Sequence, residues 1–165
     1  MIKGYEIERK FLVEFPDTSN LNVKNTSEIF QVYLNNGEND SQRRIRKISM
    51  DGKIRYTYTE KLFITAVTRK EMEYEIDEAE YQRLLAQARE DDVPIEKIRY
   101  CFEYRGQLFE LDTYPFSSEL AILELELESP DQQIYFPDYI NVIKEVTGDD
   151  RYSNAALAAA AAFPE

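Results

Sequence analysis

The chain has 165 residues, 32 of them acidic and 20 basic, and its formal net charge is −12 at pH 7. Hydrophobic residues make up 43% of the sequence, a share typical of a folded globular protein and not of a disordered one. The excess of acids argues against general binding to nucleic acids or to anionic membranes, because both are polyanions.

Alternation of polar and apolar residues runs along most of the chain and predicts β-strands. Eight alternating segments are separated by turn sequences: Tyr5–Val13, Glu28–Leu34, Gln42–Ile48, Ile54–Leu62, Val67–Ile76, Glu96–Tyr104, Gln107–Tyr114 and Leu120–Glu128. The turn sequences include NNGEND, MDGK and RG, which are typical of hairpin connections. Hairpins join antiparallel strands, so we expect a mainly antiparallel sheet.

Three further segments predict helices. Asp77–Arg89 carries apolar residues at helical spacing behind a potential N-cap, Asp77. Asp138–Val146 has a similar apolar stripe, and the tail NAALAAAAAF is rich in alanine, the best helix former. The predicted fold is therefore α+β and predominantly antiparallel β, with helices flanking the strands.

Length, cysteine content and hydropathy indicate the organisation and compartment of the protein. The length suggests a single domain over residues 1–165. The single cysteine, Cys101, cannot form an intrachain disulfide, which fits a reducing compartment, so we expect a cytoplasmic protein. The opening residues MIKGYEIERK lack an apolar segment, and no apolar stretch is long enough to span a bilayer, so neither a signal peptide nor membrane association is expected.

Alternate positions along the strands separate a charged face from an apolar face. In the fifth, seventh and eighth strands the charged face is mostly acidic, and in the third and sixth it is mostly basic. An ordinary half-exposed antiparallel sheet would also alternate in this way, with its polar face in water. The segregation of acids from bases, and the preference for arginine, which binds oxyanions in a bidentate fork, favour a different arrangement. That arrangement is a closed eight-stranded barrel with a charged interior and an apolar outer face partly covered by helices.

Enclosed charges are costly unless they are paired, hydrated or ligated, so a charged barrel interior implies ligands. Glu6 with Glu8, and Glu124 with Glu126, lie about 6–7 Å apart along a strand and could converge on one ion. The chain has no histidine, which excludes Ser–His and Cys–His catalysis and leaves oxygen ligands for Mg²⁺, Mn²⁺ or Ca²⁺. The basic wall would consist of Lys10, Arg44, Arg46, Lys61, Arg69, Lys97 and Arg99. A phosphate chain fits between these walls, with a water molecule attacking in line.

Short motifs recur in a fixed order along nearly the whole chain. EIERK at Glu6–Lys10 is followed by QVYL, RIR, TEK, RKEME, EKIRY, GQLFELD, ELE and EVTGDDRYSN. This series resembles the CYTH domain family, the triphosphate tunnel metalloenzymes, whose signature is ExExK. The order and number of the motifs make a chance match a poor explanation.

The resemblance implies an eight-stranded antiparallel tunnel that hydrolyses or cyclises triphosphates with one or two Mg²⁺ or Mn²⁺ ions. The metal ligands that it implies are Glu6, Glu8, Glu124 and Glu126, with Asp112 close by. The implied phosphate-binding residues are the seven members of the basic wall. The implied catalytic residues are Glu6, Glu8, Lys10, Glu71 and Glu73, of which the last two would organise water or a second metal. Arg151 and Tyr152 are candidates for closing one mouth of the tunnel, with Arg151 as a further substrate contact, and helix packing is the alternative role.

The chain looks most similar to short bacterial members that cleave inorganic tripolyphosphate to pyrophosphate and phosphate. Other members act on thiamine triphosphate, nucleoside triphosphates or RNA 5′ ends, or cyclise ATP, so a class IV-type adenylate cyclase is a second hypothesis. A non-catalytic phosphometabolite-binding module is a third, although such a module would not need two carboxylate pairs. The expected partner is a small polyanionic triphosphate, and exposed strand edges or the apolar outer face would allow a homodimer.

Overall fold

Strands dominate the fold, in a computed structural model that describes residues 2–165. In chain order the strands are β1 (Ile2–Glu14), β2 (Val23–Leu34), β3 (Gln42–Met50), β4 (Lys53–Phe63), β5 (Thr68–Ile76), β6 (Ile95–Tyr104), β7 (Gln107–Thr113), β8 (Leu120–Leu127) and β9 (Val142–Glu145). The α-helices are α1 (Glu78–Leu84) and α2 (Asn154–Ala160). The eight predicted strands are all present, most of them longer than predicted.

The first eight strands close into an antiparallel barrel. Their order is β5-β4-β3-β2-β6-β7-β8-β1, and β1 pairs again with β5 to complete the ring. One edge of β1 pairs with β8 from Ile7 to Glu14. Its other edge pairs first with β5, through residues 2–7, and then with β9, through residues 11–13. The predicted closed eight-stranded barrel is therefore confirmed, with β9 as an additional short strand on the edge of β1.

The apolar face of the strands points outward and is covered by other segments of the chain. Around β6, β7 and β8, the buried side chains of Phe102, Phe109 and Leu125 pack with Phe136 and Ile140 from the segment that follows β8. This outer core leaves the alternate, charged positions of the same strands facing inward. An ordinary sheet with its charged face in bulk water is therefore ruled out.

Helix α1 covers the outer face of β3 and β4. Its Tyr81 and Leu84 pack on Ile45 and Tyr58. Asp77 is the N-cap, as predicted, and its carboxylate accepts a hydrogen bond of 2.8 Å from the backbone N–H of Glu80. The helix ends at Leu84 and continues as a 3-10 turn over Leu85–Gln87, so it is shorter than the predicted Asp77–Arg89.

The predicted helix over Asp138–Val146 is wrong. Residues 142–145 form strand β9, and residues 138–139 form a single turn in which the N–H of Ile140 donates to the carbonyl of Pro137 at 3.0 Å. The free edge of β1 explains this outcome, because the backbone of β9 satisfies donors and acceptors that β5 leaves unpaired. The β-branched residues Val142 and Ile143 also favour a strand over a helix.

An apolar plug fills one end of the barrel interior. Leu12 and Ile122 occupy inward positions one step beyond Lys10 and Glu124, and they cluster with Tyr33, Tyr152 and Leu157. Leu157 belongs to α2, so the predicted C-terminal helix packs against the body. Ser153 caps this helix by accepting a hydrogen bond of 3.1 Å from the N–H of Ala156. None of the helices among residues 2–165 is long and apolar enough to cross a membrane.

Candidate active site

A cavity of about 700 Å³ occupies the barrel interior, and charged side chains line it. Most of the residues predicted for the site are in this lining: Glu6, Glu8, Lys10, Arg44, Arg46, Lys61, Arg69, Glu71, Glu73, Arg99, Glu124 and Glu126. The alternation of each strand explains why they meet, since residues two apart on a strand share a face. Lys97, Asp112 and Arg151 are outside the lining.

Two buried arginines on β3 face the cavity without carboxylate partners. Within the described part of the chain, neither Arg44 nor Arg46 forms a salt bridge, although each side chain is over nine-tenths buried. Arg44 Nε has no hydrogen-bond partner among the described atoms. Burial lowers the pKa of Arg46 to about 9, and the positive charges of Arg44 and Arg99 add to the effect. Arg46 is still charged at neutral pH, so the wall carries positive charge that a polyanion could compensate.

Lys61 on β4 and Arg69 on β5 lie beside acids of β1 and β5 on the cavity wall. Lys61 Nζ lies 3.7 Å from Glu6 Oε1 and 3.6 Å from Glu71 Oε2, and Arg69 lies 3.1 Å from Glu8 Oε1. Burial, reinforced by the charge of Arg44, lowers the pKa of Lys61 to about 7. The distances to Lys61 exceed those of hydrogen bonds, so these ion pairs are loose and leave carboxylate oxygens free for other partners.

Asp112, which was predicted as a metal ligand, is the buried counter-ion of two cations in this structure. Its Oδ2 accepts hydrogen bonds from Lys97 Nζ at 2.7 Å and from an Arg99 nitrogen at 2.9 Å, and its Oδ1 accepts from Arg99 Nε at 2.8 Å. Burial alone would raise the pKa of Asp112, but Arg99 and Lys97 hold it well below its usual range. Both oxygens are therefore engaged, and the buried Lys97 ammonium donates one of its hydrogen bonds to this carboxylate. The role of Asp112 as a metal ligand and that of Lys97 as a substrate contact stay predictions from the sequence.

Glu110 was missed as a site residue. It lines the cavity, lies opposite Glu124 across β7 and β8, and accepts a hydrogen bond of 2.8 Å from Arg99. Burial raises its pKa, the neighbouring Glu124 adds to this, and Arg99 opposes it. The alternation of β7 already put Glu110 on the charged face, so the available signal was its position two residues before Asp112 on the strand.

The carboxylates that could hold a metal ion are Glu6, Glu8, Glu124 and Glu126, since all four line the cavity. Glu124 makes long ion pairs of 3.7 Å with Lys10 and 3.6 Å with Arg99. No group of three carboxylates within residues 2–165 is already assembled as a metal site. The all-oxygen donors and their loose ion pairs fit a hard ion such as Mg²⁺ or Mn²⁺, whose binding would replace those pairs.

The C-terminal motif contributes to the cavity wall, but through residues other than Arg151. The Arg151 side chain is exposed, pairs with Asp149 at 2.7 Å and is not part of the cavity lining, whereas Asp149 is. Tyr152 is 1% exposed within the apolar plug, where it packs in the same cluster as Leu157 of α2. Thr147 fixes the backbone of Lys10, whose N–H donates to Thr147 Oγ1 at 2.9 Å. This hydrogen bond helps to hold Lys10 at the cavity.

Comparisons with known proteins agree with this geometry. The family model described as CYTH domain matches residues 4–146. A curated protein of Acetivibrio thermocellus named inorganic triphosphatase is 35% identical over 157 residues, which are 93% of each chain. A Nitrosomonas europaea protein with the same name is 34% identical over 158 residues, covering 93% of this chain and 96% of that one.

Solved structures share the fold. A crystal structure of an inorganic triphosphatase is 34% identical, covers 93% of each chain and superposes with a TM-score of 0.55. A protein from Pyrococcus horikoshii OT3 superposes with a TM-score of 0.57 over 76% of this chain and 80% of that one. It is only 20% identical, so its likeness concerns the fold alone.

Proposed function

Since this chain belongs to the CYTH domain family, we propose that it is a hydrolase that cleaves inorganic tripolyphosphate to pyrophosphate and phosphate. The family match, and two curated relatives named inorganic triphosphatase, support the activity predicted from the sequence. The single observation that carries the substrate assignment is the buried pair Arg44 and Arg46, which face the cavity without a salt bridge to any described residue. A linear triphosphate carries enough negative charge to compensate both arginines.

We propose that Mg²⁺ or Mn²⁺ assists the reaction, in keeping with the divalent-metal dependence of the family. Glu6 and Glu8 on one strand, with Glu124 and Glu126 on its neighbour, would hold the ion. When bound, such an ion would neutralise phosphate oxygens and activate a water molecule as the nucleophile. This assignment also gives these four glutamates a role in a cavity whose substrate is an anion.

The protein's own residues would bind and orient the substrate. Arg44, Arg46 and Arg69 would grip phosphoryl oxygens, for which the planar guanidinium is well suited. Lys10 and Lys61 would add positive charge opposite the acids of the cavity. These bases would also stabilise the negative charge on the leaving pyrophosphate, which is where phosphoryl transfer gains most from electrostatics.

Glu71 and Glu73 are the proposed residues for handling the attacking water. Glu71 Oε2 is buried without a hydrogen-bond partner among the described residues, so it is free to accept one from water. Glu73 accepts a hydrogen bond of 2.8 Å from Thr59 Oγ1, which fixes its direction. Accepting the proton of the attacking water would make Glu71 the general base.

The test is a comparison of tripolyphosphate with ATP, each with Mg²⁺ and with Mn²⁺. We expect phosphate release from tripolyphosphate, no cyclic AMP from ATP, and near-complete loss of turnover in Glu6→Gln and Glu126→Gln. Glu28→Gln, on the outer surface, is the matched control and should keep full activity. Cyclic AMP production without phosphate release would replace the proposal by the cyclase hypothesis. Binding of tripolyphosphate without turnover would favour the hypothesis of a non-catalytic phosphometabolite-binding module.

Several expectations from the sequence stay predictions. These are the single domain over residues 1–165, the cytoplasmic location inferred from the lone cysteine, the possible homodimer and the lack of general nucleic-acid binding. The preference for inorganic tripolyphosphate over thiamine triphosphate or a nucleoside triphosphate is likewise part of the proposal. Substrate profiling of the purified protein addresses that preference directly.

A further inference from the structure

Gln31 is a fully buried side chain that lies behind one arginine of the cavity wall. It sits on β2 directly opposite Arg46 of β3 and is 0% exposed. Arg46 Nε donates a hydrogen bond of 2.5 Å to Gln31 Oε1. Arginine has only donors, so the amide must turn its oxygen toward Arg46. Arg46 lines the cavity and Gln31 does not, so Gln31 can reach a substrate only through Arg46.

The amide group of Gln31 is poorly satisfied by its surroundings. Its Nε2 is buried and has no hydrogen-bond partner in the described structure. An unpaired buried donor destabilises the folded state, and an apolar residue of similar size would instead leave the buried Arg46 Nε without its acceptor. Among the described residues, the side-chain hydrogen bond of this amide is to Arg46, which suggests that the glutamine serves the function of that neighbour.

The charge around Arg46 shows what that role is. Its charged surroundings include Arg44 and Arg99, which repel it, and Asp112 and Glu73, which attract it without forming a salt bridge. A glutamate at position 31 would bind Arg46 Nε equally well but would neutralise the guanidinium. A glutamine supplies the same oxygen with no charge, so the orientation of Arg46 is fixed and its positive charge stays uncompensated.

We propose that Gln31 is a positioning residue that fixes the Arg46 guanidinium toward the cavity while reserving its charge for the phosphoryl oxygens of the substrate. This inference rests on the proposed function, because it takes a triphosphate as the anion that Arg46 binds. Replacement by a carboxylate would force the substrate to compete with an internal anion. Replacement by an apolar residue would free the guanidinium to turn away from its binding orientation.

The test uses Gln31→Met, Gln31→Glu, Arg46→Gln and the double variant Gln31→Met/Arg46→Gln, with tripolyphosphate binding measured by calorimetry in the presence of a chelator, so that the substrate is not hydrolysed during the titration. We expect Gln31→Met to weaken binding about tenfold when Arg46 is present and less than twofold in the Arg46→Gln background. We expect Gln31→Glu to weaken binding at least tenfold while its melting temperature equals or exceeds that of the wild type. A merely structural residue would not separate affinity from stability in this way.

Two results would overturn the inference: equal effects of Gln31→Met in both backgrounds, or wild-type affinity in Gln31→Glu. If Gln31→Met does not fold, Gln31→Glu decides by itself, since its ion pair with Arg46 preserves the fold. A wild type that binds tripolyphosphate without hydrolysing it contradicts the proposed function. In that case the affinities of the four variants still test the role of Gln31. A wild type that binds neither tripolyphosphate nor pyrophosphate overturns both.

Discussion

Lys97 Nζ and Asp112 Oδ2 lie 2.7 Å apart inside the barrel, and neither side chain is exposed to solvent. Arg99 binds the same carboxylate through two of its nitrogens. Asp112 therefore carries the neutralising charge for two buried cations, and Arg99 in turn reaches the cavity wall. The Asp112 carboxylate therefore affects both the stability of the barrel and the position of Arg99 at the cavity.

Replacing Asp112 by Asn should destabilise the protein strongly, because two buried cations lose their main counter-ion. We expect the free energy of unfolding to fall by about 3–5 kcal/mol, measured by denaturant titration. The control is Glu103→Gln, which breaks the exposed pair with Lys24 and should cost less than about 1 kcal/mol. Similar small losses in both variants would contradict the role of Asp112 as a counter-ion.

Arg44→Gln should separate binding from stability. Removing a buried guanidinium that has no carboxylate partner should raise the melting temperature, while kcat/KM for tripolyphosphate should fall about 10- to 100-fold through the lost charge-assisted hydrogen bonds. Steady-state kinetics and calorimetric melting measure the two effects. Lys47→Gln, an exposed position on the same strand, is the control and should change neither. Unchanged kinetics in Arg44→Gln would show that Arg44 does not bind the substrate.

Ligands should stabilise the barrel by relieving repulsion among its inward-facing charges. Tripolyphosphate with Mg²⁺ at about 100 times the dissociation constant should add about 2.7 kcal/mol to the free energy of unfolding. Melting curves with and without ligand measure this shift, and addition of a chelator should cancel the contribution of the metal. An unchanged melting temperature at millimolar ligand would argue against an internal binding site.

The lone thiol predicts a pH dependence of reactivity and of stability. Burial raises the pKa of Cys101 to about 11, Glu110 and Asp112 add to the shift, and Arg99 opposes it. Between pH 9 and 11 the unfolded chain loses this proton while the folded chain keeps it, so this group's contribution to stability falls as the pH rises through that window. Alkylation by iodoacetamide should be slow at pH 8 and should still be accelerating at pH 10.

The comparison that isolates this effect is Cys101→Ala. Other groups titrate between pH 9 and 11, and the difference between wild type and variant removes their contribution. We expect the wild type to lose more stability than Cys101→Ala over that range. A plateau of the alkylation rate near pH 9 would show that the thiol is not shifted.

Alternation in the sequence predicted the eight barrel strands well, because period-two patterning directly reports which side chains share a face. It failed at β9, where the apolar residues of 138–146 also fit a helical stripe. Only the tertiary structure reveals that β1 has a free edge at that point. The extent of α1 was overestimated because its last turn tightens into a 3-10 helix.

The site was predicted at the level of faces and not of individual contacts. The period-two alternation of the strands puts Glu110, Asp112 and Lys97 on the inner face. It does not show which of these side chains lines the cavity and which forms a buried ion pair. Distance and burial decide that question: Glu110 lines the cavity, whereas Asp112 is outside the lining and pairs with Lys97. The alternation pattern also gave no information on the position of Arg151, because this residue lies outside the strands. It is on a 3-10 turn, where its side chain pairs with Asp149.

Strand β1 pairs with three other strands and also carries Glu6, Glu8 and Lys10. A slip of one residue in its register would turn these three side chains outward and bring Ile7 and Phe11 into the lumen. An open intermediate would likewise lack one of the two walls between which the substrate must sit. Closure of the barrel and formation of the active site are therefore one event. Molecules whose barrel is not closed should have no activity, instead of a reduced rate.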